Sequence, residues 1–127
     1  MTVSILSENP ARHVGLDSLT KLPQRIVDAI RINVDSGCWE WRNSLNYKGY
    51  GHCYLGGRML GAHRVVWTLL CGDIPRGMVL DHLCRIRRCV NPAHMEPVTV
   101  RENTLRGNGP TALRHRARLA REAGGCQ

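Results

Sequence analysis

Between Asp81 and His94 the chain sets out Asp81-His82-Leu83-Cys84, four further residues, and then Cys89-Val90-Asn91-Pro92-Ala93-His94, with Asn103 nine residues beyond. Thiolate and imidazole are the ligands zinc prefers, and Cys84, Cys89 and His94 supply three of them. Cys38, in Gly37-Cys38-Trp39, would complete a tetrahedron of three sulfurs and one nitrogen. Four protein ligands leave no position for an activated water, so the expected zinc is structural rather than hydrolytic. His82 is then left over. It stands beside an acid, two residues from a zinc ligand and upstream of an asparagine, a setting for proton transfer more than for folding.

Composition narrows what such a site would serve. A chain of 127 residues makes one small domain. Phenylalanine is absent, so Trp39, Trp41 and Trp67 must fill much of the core, and a structural metal would offset that thin interior. The formal charge of +8 comes mostly from arginine, whose guanidinium forks match phosphate oxygens, so a polyanionic partner is expected, with nucleic acid the leading candidate. Zinc on three thiolates would lower this charge by one, to about +7, and leave the argument intact. The opening Met1-Thr2-Val3-Ser4-Ile5 has no basic and then apolar leader, and no run has the length of a membrane span. A cytoplasmic protein is therefore expected, in a reducing compartment where clustered cysteines bind metal more often than they form disulfides.

The elements that must position these residues can be read from the sequence pattern. Residues 1 to 16 show no period and are expected to form a loose arm, followed by a compact domain over 17 to 107 and a basic tail over 108 to 127. Apolar Ile26, Val27 and Ile30, with Val34, predict a helix from Leu22 to about Asn33. Trp39-Glu40-Trp41 alternates, Asn46 to Gly49 is a turn, and Gly56-Gly57 closes a hairpin between Tyr50–Leu55 and Arg58–Leu60. These segments predict a small antiparallel sheet in an α+β fold. Ala62 to Leu70 predicts a helix with Val65, Val66, Leu69 and Leu70 on its apolar side, and Met78–Leu80 a short strand that delivers Asp81 and His82. Thr99, with Glu102 three residues later, is a capping box, so a helix carrying Asn103 should start there. Thr111 to Ala123 could form another, and from Arg101 onward six arginines face two glutamates.

The run Leu80-Asp81-His82-Leu83-Cys84, Cys89 to His94 and Glu102-Asn103, preceded by Gly37-Cys38-Trp39-Glu40-Trp41 and Ala62-His63-Arg64, resembles phage-type HNH endonucleases. It is also similar to the zinc-containing His-Cys box homing endonucleases. The likeness spans about Ile26 to Gly107. It implies a ββα-metal, or His-Me finger, core: two strands carrying the histidine and a helix carrying the asparagine. Carried over, His82 matches the general base that activates water, and Asn103 and Asp81 match the ligands of a catalytic magnesium or manganese, for which hard oxygen donors are suited. Cys38, Cys84, Cys89 and His94 would hold one structural zinc. His-Cys box enzymes carry a second zinc site downstream, where this chain has only Cys126. The implied activity is one-metal hydrolysis of DNA phosphodiesters, leaving 5′-phosphate and 3′-hydroxyl ends.

Several residues have a second reading. Asp81 could instead pair with Arg85, Arg87 or Arg88, which are otherwise expected on phosphates along with Arg101 and Arg106. Arg64 could stabilise the leaving phosphate or, like His63, brace the fold. Asn91, the formal middle letter of the motif, precedes proline and is expected to bond its own backbone. His52, Cys53 and Cys71 have no partners at ligand spacing and read as packing. The alternative function is a zinc-stabilised DNA-binding module without catalysis. A ribbon within Arg42 to Arg58 could read bases, and the small core is compatible with a homodimer that cuts both strands.

Overall fold

The computed structural model describes residues 10–107 and 109–125. Six strands pair into three two-stranded antiparallel sheets: β1 (Ile30–Ile32) with β2 (Trp39–Trp41), β3 (His52–Leu55) with β4 (Arg58–Gly61), and β5 (Met78–His82) with β6 (Met95–Thr99). Four α-helices are described, α1 (Gln24–Val27), α2 (Ala62–Cys71), α3 (Val100–Arg106) and α4 (Pro110–Gly125). β5, β6 and α3 make the expected ββα unit.

The helix expected from Leu22 to Asn33 is a correction. Only Gln24–Val27 is α-helical, and Ile30–Ile32 is a strand. Ile30-Arg31-Ile32 fits both a helical and an alternating period, and long-range pairing decides between them. Ile30 lies opposite Trp41 and Ile32 opposite Trp39. The turn is held by Asn33, whose side-chain oxygen accepts from the Asp35 and Ser36 amides, and by Gly37 at φ 78°, a left-handed conformation glycine adopts without strain. Val34 therefore lies in the turn, 87% exposed.

Two apolar clusters meet on α2. Val65 and Val66 pack with Trp39, Trp41, Ile26 and Val90, whereas Trp67 packs with Ala11, Leu80 and Met95. Leu69, expected on the buried side, is 44% exposed, because Trp67 faces inward in its stead. Of the expected arm, residues 1–9 lie outside the described residues. Pro10–His13 forms a short 3-10 helix, and Ala11 is buried. At the other end, Ala112 of α4 is fully buried and Arg116 donates to the Leu105 carbonyl at 3.1 Å, so this helix packs on α3.

Gly51 is a point of close approach. A Cβ built there would lie 2.6 Å from the Trp41 ring, while the Gly51 carbonyl accepts from the Ala62 amide at 2.8 Å. Gly51→Ala must displace a buried tryptophan and is expected to cost about 1–3 kcal/mol. Chemical denaturation checks this, and a change under ~0.5 kcal/mol would contradict the packing described.

Candidate active site and metal centre

The four residues expected to bind zinc come together from distant parts of the chain. Cys38 precedes β2, Cys84 and Cys89 lie in the loop after β5, and His94 ends a 3-10 turn before β6. Their ligand atoms all lie within 4.8 Å of one another. His94 Nδ1 is 3.5 Å from Cys38 Sγ and 3.6 Å from Cys89 Sγ. Bonds of about 2.3 Å to sulfur and 2.0 Å to nitrogen at tetrahedral angles give a sulfur–nitrogen separation of about 3.5 Å. The residues fit zinc. Burial pushes the Cys84 and Cys89 thiols up, so without a cation they stay neutral, and metal binding would displace their protons.

Backbone pairing braces this group. The Trp41 amide donates to the Arg88 carbonyl at 2.9 Å and the Val90 amide to the Trp39 carbonyl at 2.8 Å, so β2 lines up beside the cysteine loop. Asn91 is a brace as expected: its Oδ1 accepts from the Ala93 amide and its Nδ2 donates to the Gly37 carbonyl, both at 3.0 Å.

The ββα unit also borders a cleft of about 670 Å³, lined by Asp81, His82, Asn103, Arg85, Arg87 and Arg106, together with Tyr50. Asp81 and His82 end β5, opposite Glu96 and Met95. Asn103 belongs to α3, which Thr99 caps by accepting from the Glu102 amide at 3.1 Å. The Glu102 carboxylate bonds Arg106 at 2.9 Å.

His82 is buried, with Nε2 3.0 Å from the Cys89 carbonyl. A carbonyl only accepts, so Nε2 carries the proton and the lone pair is on Nδ1. Burial lowers the His82 pKa, partly opposed by that hydrogen bond and by Asp81. Its ring centroid lies 5.0 Å from that of His63 and 5.6 Å from that of Tyr50. Burial, then His82 and Arg64, hold the His63 pKa down to about 3, so this neighbour stays neutral and its buried Nδ1 has no hydrogen-bond partner among the described residues.

The arginines in the cleft are not bare charges. Asp81 Oδ1 meets Arg85 at 3.2 Å and Oδ2 meets Arg106 at 2.9 Å. Arg106 also binds Glu96 and Glu102, each at 2.9 Å. Arg85 reaches Asp81 from a left-handed backbone, φ 63°. Arg87 donates to the Lys48 carbonyl and lies over the Tyr50 ring, and Arg88 pairs with Glu40 at 3.6 Å. Arg101 is exposed on the other side of α3, in a groove against α4. Arg64 does not line the cleft. His52 is half-buried and Cys53 buried, and neither they nor Cys71 joins the metal group. Cys126 lies outside the described residues. Tyr50 was not singled out from the sequence: it follows a turn, and nothing local marks it for a cleft.

Residues 60–105, which run from the end of β4 through most of α3, match the family described as HNH endonuclease. The chain belongs to the HNH endonuclease family. It is also similar to Protein 2.8 of Escherichia phage T7, 35% identical over 66% of this chain and 58% of that protein. Protein 7.7 of the same phage is 34% identical over 53% of this chain and 52% of its own length. The uncharacterized gene 5.3 protein of Enterobacteria phage T3 is 32% identical over 50% of this chain and 68% of its own length. The chain thus spans between half and three-fifths of the two T7 relatives. No solved structure matches it. The HNH match covers Asp81, His82, Cys84, Cys89, His94 and Asn103, and Cys38 lies outside it. No helix among the described residues is long and apolar enough to cross a membrane.

Proposed function

We propose that this HNH protein is a metal-dependent endonuclease that hydrolyses phosphodiester bonds of double-stranded DNA, with His82 as general base. The observation that carries the reading is the state of His82. Its proton is committed to the Cys89 carbonyl through Nε2, its Nδ1 keeps a lone pair, and it shares one cleft with Asp81 and Asn103. Nδ1 takes the proton of the attacking water. The Cys89 carbonyl holds the imidazole in this tautomer, and the His63 and Tyr50 rings limit its rotation.

Asp81 and Asn103 offer oxygen donors that suit magnesium or manganese. Such an ion, when bound there, supplies Lewis-acid stabilisation of the phosphate and the departing 3′ oxygen. Arg85 and Arg106, now on Asp81, must give way in part when that carboxylate takes a cation, and their guanidiniums are then available to phosphate oxygens. Arg87 adds positive charge to the cleft wall. The nuclease domain spans 17–107, with one zinc as scaffold.

One observation favours the second reading, a DNA-binding module without catalysis: both Asp81 oxygens are already engaged by arginine. Incubation of supercoiled plasmid with the zinc-loaded protein in magnesium, in manganese and without either ion separates the two. Ion-dependent open-circle or linear product is expected, and open-circle product alone would indicate a single-strand cut. Binding without any cleavage would give the second reading. Asn103→Ala is expected to raise the magnesium concentration for half-maximal cleavage by ~10-fold or more, which a metal titration of cleavage rate checks. An unchanged requirement would remove Asn103 from the metal.

A further inference from the structure

α3 has two working faces. One carries Asn103 and Arg106 to the cleft. The other carries Arg101 and Thr104 to a groove against α4, where Arg114, His115, Arg118 and Arg121 complete the wall. The groove holds about 490 Å³, and no carboxylate is among the described residues that line it.

The contrast with the cleft is one of charge compensation. There Arg85 and Arg106 meet Asp81, Glu96 and Glu102. Arg101, Arg114 and Arg121 are exposed, and the described residues of their wall include no Asp or Glu. Bringing cationic side chains together costs free energy unless an anion joins them. α4 is nonetheless anchored there, by buried Ala112 and by Arg116 on the Leu105 carbonyl, so the charges are held in one place rather than dispersed on a free tail.

We propose that the α3–α4 groove is a second DNA-binding surface, separate from the catalytic cleft, that grips the phosphate backbone of the same duplex without reading its sequence. The proposal rests on duplex DNA being the partner, not on cleavage. Arg114 and Arg121 are two helical turns apart, about 10.5 Å along α4, or about three base-pair rises of 3.4 Å. One helix diameter, about 10 Å, separates the groove from the cleft, so a duplex in the cleft can reach both. Guanidinium forks and the Thr104 and Thr111 hydroxyls match phosphate oxygens.

The test is binding of a mixed-sequence duplex, followed by fluorescence anisotropy without added magnesium over a range of salt concentrations. The wild type is compared with Arg101→Glu/Arg114→Glu/Arg121→Glu and with Lys21→Glu/Arg31→Glu/Arg76→Glu, which makes the same change in net charge at exposed positions outside the groove. Zinc content and thermal midpoint are measured for all three. The groove variant should keep its zinc, bind at least ~10-fold more weakly, and lose about 2–3 units of the slope of log affinity against log salt, near 0.9 per phosphate contact. The control should lose much less of both. Equal losses in the two variants would overturn the proposal, as would a wild-type slope in the groove variant or a wild type that does not bind. A groove variant that loses zinc or folding is replaced by Arg101→Gln/Arg114→Gln/Arg121→Gln, read in the same way. A wild type that binds through the groove but never cuts plasmid would end the nuclease reading and leave this one standing.

Discussion

His82→Ala is expected to cut plasmid about 10²- to 10⁴-fold more slowly than the wild type, the usual contribution of a positioned general base, while retaining zinc and affinity for DNA. The variant removes the ring whose Nε2 meets the Cys89 carbonyl, and an orphaned buried carbonyl costs about 1–3 kcal/mol. That cost is a fraction of the stability of a small domain, so the fold should persist. Zinc content, thermal midpoint and duplex binding of the purified variant separate lost chemistry from lost structure. Cleavage within about 3-fold of wild type by a folded, zinc-bound variant would remove His82 from the base role, and His63, whose pKa burial holds down to about 3, is too weak a base to replace it.

Removal of zinc should have the largest effect on stability. Structural zinc contributes about 10–16 kcal/mol of apparent binding free energy in zinc-finger peptides, which equals or exceeds the total stability expected of a domain this size. The four ligands join the segment before β2 to the loop that carries the Cys89 carbonyl. Loss of metal therefore unfastens the β1–β2 sheet from the ββα unit and releases the acceptor that orients His82. A strong chelator, or Cys89→Ser, should abolish the cooperative thermal transition or lower it by tens of degrees, with zinc falling from one to near zero per chain by elemental analysis. Cys71→Ser, outside the metal group, should keep its zinc. A chelated protein that melted like the wild type would show that the metal group is not what holds the loop.

The metal group was legible in sequence because zinc ligation depends on side-chain type and short spacing, and Cys84, Cys89 and His94 carry both within one loop. Cys38 was legible for a different reason: a cysteine beside Trp39, far from the others, was the remaining donor that made a tetrahedron. Thr99 with Glu102, Gly56-Gly57 and the Asn46 turn were legible because caps and turns are local hydrogen-bonding devices. Asn91 followed from the same local chemistry, and the structure gives its side chain to the Ala93 amide and the Gly37 carbonyl.

What the residue order alone determined, then, was the chemistry available: a cysteine-histidine group suited to a metal such as zinc, a spare histidine between an acid and an asparagine, and an arginine excess for a polyanion. Tertiary structure decided how that chemistry is poised. Ile30–Ile32 became a strand because Trp39 and Trp41 pair with it, against a helical period of equal local merit. Arg106, expected on phosphate, lies on Asp81 because the strand pairing puts Glu96 opposite Asp81 and α3 brings Glu102 beside both. The His82 tautomer is set by a carbonyl seven residues away, and Tyr50 entered the cleft from a turn with no signal of its own. Periodicity and spacing describe neighbours along the chain, whereas charge pairing, tautomer and cleft lining depend on neighbours through space.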